Sequence, residues 1–210
     1  MNIELSKIKP QYMSEDEILG SDIYLQDKIV FEKGKKYLIK ANSGNGKTSL
    51  LNFIYGSYIN FDGSINFVTP IKKYTVDNLH KTILSYVFQD LKMFSSLTVF
   101  ENIQIKNTLT NYKSKEEIYS LIDQVKLFNK KNSLLRTLSL GQKQRVAIIR
   151  ALCQPFKFLL LDEPTSHLDM DNIKIITNII HQETEEQNAC LILTSLTNER
   201  LFDFDKVLNL

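Results

Sequence analysis

The 210-residue sequence predicts an α/β fold with a mostly parallel central sheet, a β-rich N-terminal region and a helical lobe inserted between strands of the sheet. Three observations predict it. After Gly34, short apolar runs alternate with amphipathic helical stretches, the pattern of strands joined by crossover helices. Phe158-Leu159-Leu160-Leu161 is apolar without interruption, as in a strand covered on both faces. Residues 91–137 are richer in Lys, Asn and Ser, and Ile118, Leu121, Ile122 and Val125 recur at helical spacing.

In chain order, residues 1–40 read as short β segments broken by turns, with Ile29-Val30-Phe31, a turn at Glu32-Lys33-Gly34, and Tyr37-Leu38-Ile39 giving strand, turn, strand. Residues 41–48 are Gly-rich and polar and lead into a helix carrying Leu50, Leu51, Phe53 and Ile54. Asp62-Gly63 reads as a turn, and residues 83–88 as a buried strand. Beyond the helical lobe, a helix begins at Gly141 and runs to about Leu152, ended by Pro155. Residues 156–161 form a strand, 173–180 an amphipathic helix and 190–193 another strand. The 210 residues are expected to form a single domain, with the helical lobe at about 91–150.

Composition narrows the function classes. The formal charge is +2, with 43% hydrophobic and 24% charged residues, values of an ordinary globular protein. Scattered lysines give no basic face for nucleic acid. Cys153 and Cys190 lie far apart in apolar surroundings, which predicts a reducing compartment. His80, His167 and His181 are too dispersed for a metal site. The opening Met-Asn-Ile-Glu-Leu has no signal-peptide pattern, and no apolar run approaches the roughly 20 residues of a membrane-spanning helix.

Ala41-Asn42-Ser43-Gly44-Asn45-Gly46-Lys47-Thr48 joins a strand to a helix. A phosphate chain needs many donors at close range. Glycines let successive N–H groups converge on one anion, and the helix N-terminus adds partial positive charge. In such a loop Lys47 reaches the β- and γ-phosphates, the Thr48 hydroxyl ligates Mg²⁺, and Asn42, Ser43, Gly44, Asn45, Gly46 and Ser49 complete the nucleotide cradle. The loop alone indicates binding of a nucleoside triphosphate. The strand ending in Asp162-Glu163 places two carboxylates beside it: Asp162 to hold Mg²⁺, Glu163 to polarise an attacking water. Guanine recognition is excluded, because Asn129-Lys130-Lys131-Asn132 lacks the aspartate of Asn-Lys-x-Asp.

Leu138-Ser139-Leu140-Gly141-Gln142 and the helix after it resemble the signature motif of ATP-binding cassette (ABC) ATPases. Asp162-Glu163-Pro164-Thr165-Ser166-His167-Leu168-Asp169 resembles that family's acidic strand and D-loop, and Val87-Phe88-Gln89-Asp90 its Q-loop. The motifs follow family order over nearly the whole chain. The resemblance implies a P-loop NTPase fold with an N-terminal antiparallel β subdomain. It also implies a dimer holding two ATP molecules head to tail, the signature residues Ser139, Leu140, Gly141 and Gln142 of one copy meeting the γ-phosphate bound by the other. Gln89 would sense Mg²⁺ or water, Asp169 would organise the dimer interface, and an aromatic residue, Tyr12 in preference to Tyr24, would stack on adenine; Tyr24 is read as a strand residue.

Three positions depart from the family pattern. Ala41 stands for the first glycine of the phosphate loop, Leu140 for a signature glycine, and Ser195 for the switch histidine. Losing one preorganised donor to a developing charge lowers turnover about 10²–10³-fold, so slow hydrolysis with intact ATP binding is expected. The resemblance implies the ATPase subunit of a membrane transporter. It would be paired with a second cassette, identical or not, and held on the cytoplasmic face of the membrane by integral permease subunits, as in lipoprotein, peptide or macrolide export and cell-division systems. The alternatives are an ATP-dependent scaffold with little hydrolysis and a non-transport ABC protein acting on nucleic acid or ribosomes. The second lacks the paired cassettes or coiled-coil insertion such relatives carry.

Overall fold

A computed structural model describes residues 1–42, 44–68, 75–196 and 201–210. Its strands are β1 (Asn2–Pro10), β2 (Ile29–Glu32), β3 (Lys36–Lys40), β4 (Phe61–Val68), β5 (Leu84–Val87), β6 (Phe158–Asp162), β7 (Cys190–Ser195) and β8 (Lys206–Asn209). The helices are α1 (Lys47–Tyr55), α2 (Val76–Asn78, continuing into a π turn at Leu79–Ile83), α3 (Val99–Asn107), α4 (Lys115–Gln124), α5 (Leu140–Leu152) and α6 (Met170–Glu186). Two sheets result: antiparallel β2-β1-β4, and parallel β5-β6-β7-β3-β8.

Strand periodicity builds the two cores. Successive side chains alternate between faces. Phe158 and Leu160 of β6, with Cys190 and Ile192 of β7, pack with Leu50, Leu51 and Ile54 of α1. Leu159 and Leu161, with Leu191 and Leu193, pack on the opposite face with α3, α4, α5 and α6. All eight strand side chains are buried, the Leu, Ile and Phe among them each contributing about 1.5–3 kcal/mol. The helical lobe enters between β5 and β6 as α3, α4 and the start of α5. Capping boxes start its helices: Thr98 with Glu101, Ser114 with Glu117, and Ser139 with Gln142. A cap of this kind stabilises by about 1 kcal/mol.

Four expectations change. The strands either side of Gly34 are present but part company, β2 joining the antiparallel sheet and β3 the parallel one. Asp62-Gly63 is not a turn: both lie inside β4, where Gly63, at φ 93°, meets a bulge in β1 between Ser6 and Lys9. A β-carbon there would overlap the backbone carbonyls of Ser6 and Lys7, so only glycine fits the bulge. Helix α5 begins one residue earlier than expected, at Leu140, because Ser139 caps it. Finally, β8 adds an edge strand beside β3 that the sequence reading did not assign.

Candidate functional site

The carboxyl ends of β3, β6 and β7 lie side by side, and the phosphate loop leaves β3 there. Gly44 and Gly46 take φ of 90° and 83°, turning the chain into α1 so that the helix opens at Lys47. Tyr24 fixes this turn from beneath. It is not a strand residue: it sits fully buried in a turn, and its O–H donates to the Gly46 carbonyl at 2.9 Å. Burial pushes its phenol pKa well up, so it remains a donor. Asn42 is exposed and Asn45 half-buried, the Asn45 N–H donating to the Asn42 carbonyl at 3.3 Å. Ser43 lies outside the described residues.

Lys47 is 6% exposed, and its ammonium donates to the carbonyls of Ala41 (2.7 Å) and Asn42 (3.0 Å). It also stands 3.6 Å from the Glu163 carboxylate. The geometry follows from one backbone torsion. Glu163 has φ 48°, a left-handed conformation that is uncommon in a non-glycine residue and costs on the order of 1–3 kcal/mol. The bend releases the chain from β6 and carries the Glu163 side chain toward Lys47. The Glu163 N–H still donates to the Thr194 carbonyl at 3.1 Å, and Ser166 secures the turn through its N–H and hydroxyl to the Glu163 carbonyl.

Asp162, one residue earlier, keeps its sheet register opposite Thr194. The Thr194 hydroxyl donates to its Oδ1 at 2.6 Å, while Oδ2 is buried and makes no hydrogen bond among the described residues. A carboxylate 1% exposed with one oxygen unsatisfied is the arrangement a hard cation would complete. Thr48, opening α1, donates its hydroxyl to Gln89 Oε1 at 3.2 Å, so two more oxygens suited to Mg²⁺ stand together. Among the described residues no group of three or more His, Cys, Asp and Glu forms a cation cage. The set instead fits Mg²⁺ held by few protein oxygens together with substrate phosphates.

A cavity of about 170 Å³ is lined by Tyr12, Gly44, Gly46, Lys47, Thr48, Ser49, Gln89 and Glu163. All eight were expected at the site from sequence. Tyr12 is 55% exposed at its rim, its hydroxyl 2.6 Å from Ser49 Oγ. An adjoining cavity of about 520 Å³ shares Thr48 and Gln89 and extends past Tyr86 and Phe88. Ser195 closes β7 in register with Lys40 and is 4% exposed, next in the chain to Thr194.

Signature and D-loop residues form a second group, none of which lines the 170 Å³ cavity. Ser139 is exposed, accepting from the Gln142 N–H, and Gln142 Oε1 accepts from the Ser139 N–H. Leu140 is 50% exposed. Gly141 packs under the D-loop, against the His167 carbonyl. Asp169 caps α6 by accepting from the Asn172 N–H, which holds its carboxyl below its ordinary range. Arg145 ties the two segments together, donating to Asn172 Oδ1 at 2.7 Å and to the Val125 carbonyl at 2.6 Å. Sequence reasoning missed Thr194, Tyr24 as the loop's support, and Arg145. Of these only Thr194 left a signal, a polar residue ending an apolar run opposite the acidic strand.

Residues 26–166 match the family model described as ABC transporter. The chain is 34% identical over 174 residues to the lipoprotein-releasing system ATP-binding protein LolD of Buchnera aphidicola, covering 80% of this chain and 76% of that protein. It is 30% identical to the putative hemin import ATP-binding protein HrtA of Staphylococcus aureus, covering 85% and 84%. In fold it is similar to a bacterial ABC transporter cassette solved as a dimer, with TM-score 0.80 and 23% identity over 99% of this chain and 94% of that one.

Proposed function

The chain belongs to the ABC transporter family of ATP-binding proteins, and from that premise we propose that it hydrolyses ATP slowly as one half of a nucleotide-sandwich dimer that powers a membrane transporter. The observation that carries the reading is the divergence of Asp162 and Glu163 at the end of β6. One carboxylate stays in the sheet with an unsatisfied oxygen, and its neighbour swings to 3.6 Å from Lys47.

In this reading Lys47 and the loop N–H groups hold the phosphates of ATP, and Tyr12 stacks on its base. Thr48, Gln89 and Asp162 hold Mg²⁺, which when bound offsets phosphate charge. Glu163 orients the attacking water and accepts its proton. Ser139 and the α5 N-terminus offer donors to the phosphate on a second copy, with Leu140, Gly141, Gln142 and Asp169 at the same interface. Ser195 supplies a shorter, uncharged donor where the family has a histidine. Among the described residues no helix is long and apolar enough to cross a membrane. Attachment to the cytoplasmic face is therefore assigned to integral permease subunits, as the transporter names of the relatives suggest.

The test compares the chain with Glu163→Gln in Mg-ATP. The variant is expected to keep ATP binding, to elute at twice the monomer mass, and to lose turnover about 10²–10⁴-fold. Equal, low rates for both would favour an ATP-dependent scaffold instead, a reading kept in view by Ser195 and Leu140.

A further inference from the structure

Tyr86 of β5 carries a hydroxyl that the fold does not use. The residue is 8% exposed, and its Oη is buried without a hydrogen bond among the described residues. A buried hydroxyl left unpaired is costly, and phenylalanine would fill the same space without that cost. The ring itself is well packed, its centre 4.0 Å from that of Phe88 and 5.3 Å from that of Tyr55. Packing accounts for the ring and leaves the oxygen unexplained.

Strand register shows what that oxygen faces. Tyr86 pairs with Leu160 across β5 and β6, and both belong to the core on the α1 face. Alternation returns β6 to this face at Asp162, the diagonal neighbour of Tyr86 and within reach of a long aromatic side chain. Burial, then the Asp162 charge, with Asp90 and Tyr55 adding to it, pushes the phenol pKa well up, so the hydroxyl keeps its proton. The Asp162 carboxylate holds an atom in the same condition. Its Oδ2 is buried and unbonded among the described residues, while Oδ1 accepts from Thr194 at 2.6 Å. A buried donor and a buried acceptor thus stand as neighbours at the end of the sheet. Tyr86 also lines the cavity that Thr48 and Gln89 share.

We propose that Tyr86 is a positioning residue for the cation site: with Mg²⁺ and ATP bound, its hydroxyl donates to Asp162 Oδ2, as Thr194 donates to Oδ1. The inference rests on the reading of Asp162 as a holder of Mg²⁺ and adds the group that fixes its second oxygen. Phe88 and Tyr55 pin the ring, so the carboxylate makes the adjustment. Its terminal torsion is broad, and the Thr194 bond gives it a pivot. Each oxygen of an ionised carboxylate has room for two partners, here the tyrosine and the cation with its waters. The hydroxyl does no chemistry itself and acts through Asp162.

The test measures ATP retention by the full chain in equilibrium dialysis across a Mg²⁺ titration, with turnover and melting followed in parallel. Tyr86→Phe should need about 10–100-fold more Mg²⁺ for half-maximal retention, the usual effect of losing a group that orients a metal ligand. Its ATP retention in EDTA should match the parent's, and excess Mg²⁺ should restore the parent's turnover. Without nucleotide the variant should melt no lower than the parent, because no bond is lost. An unchanged Mg²⁺ requirement, or a variant too unstable to fold, shows a structural hydroxyl and overturns the proposal. Asp162→Asn separates this inference from the reading beneath it. That change should raise the Mg²⁺ requirement, and Tyr86→Phe added to it should raise it no further. A further rise in the double variant would mean that Tyr86 acts on something other than Asp162, against the proposal. If Asp162→Asn raises the requirement and Tyr86→Phe does not, Tyr86 is dismissed and Asp162 keeps its place. If Asp162→Asn leaves the requirement unchanged, both readings fall.

Discussion

A β-carbon on Gly141 would stand 2.5 Å from the carbonyl oxygen of His167, so the first turn of α5 and the D-loop touch backbone to backbone. Gly141→Ala must push the two segments apart. Overpacking of this kind costs about 1–3 kcal/mol. The melting temperature should fall, and turnover should fall by more than the loss of folded protein explains. A variant as stable and as active as the parent would show the contact to be dispensable.

Thr194 holds one oxygen of Asp162 and leaves the other for a cation. Thr194→Val keeps the strand shape and removes that hydroxyl. Groups that orient a metal ligand typically contribute 10–100-fold to affinity. The Mg²⁺ concentration giving half-maximal ATP binding or turnover should therefore rise by about that factor in Thr194→Val. An unchanged Mg²⁺ dependence would remove Asp162 from the cation site.

Ser195→His should raise turnover by up to about 10²–10³-fold if a missing donor limits the reaction. Ser195 is 4% exposed, so the ring must find room at a packed strand end, and a melting curve has to accompany the rate. A folded variant with the parent's rate would sink the catalytic reading of this position.

Acid pH should loosen the helical lobe and the start of α6. Glu101 and Glu117 each accept from the backbone N–H of their own N-cap residue, Thr98 and Ser114, and Asp169 accepts from the Asn172 N–H; all three pKa values are lowered by these bonds. A carboxyl lowered on folding stabilises fully above its unfolded pKa and loses that contribution as pH falls through the folded value. Melting followed from about pH 6 to pH 3 should decline, and the decline should be shallower in a Glu101→Gln, Glu117→Gln, Asp169→Asn triple variant. Parallel declines would place the acid sensitivity elsewhere.

What could be read from sequence was whatever is local. The phosphate loop is eight consecutive residues, and Asp162-Glu163 follows an apolar run whose strand character needs no partner to be seen. The signature motif is local too, although its serine caps α5 one residue before the start expected from sequence. What escaped depends on neighbours distant in the chain. Asp62-Gly63 has the composition of a turn, and only pairing with β1, Asp62 opposite Lys9 and Gly63 against the β1 bulge, makes it part of a strand. Tyr24 looks like any β-region aromatic until the loop folds over it. Thr194 meets Asp162 across 32 positions through strand register.

The bend at Glu163 gives β6 the quality of a ruler. Its side chains alternate between faces, and its last two acids are told apart solely by which one precedes the left-handed torsion. Deleting one residue between Phe158 and Glu163 would set the glutamate in the sheet against Thr194, and adding one would bring the aspartate to the bend beside Lys47; either way one of the two stations loses its acid. The connection between α5 and β6 is pinned separately, by Phe156 buried in the core and by its N–H donating to Gln187 Oε1. Length variation among related chains should therefore be rare from there to Glu163, however conservative the inserted residue.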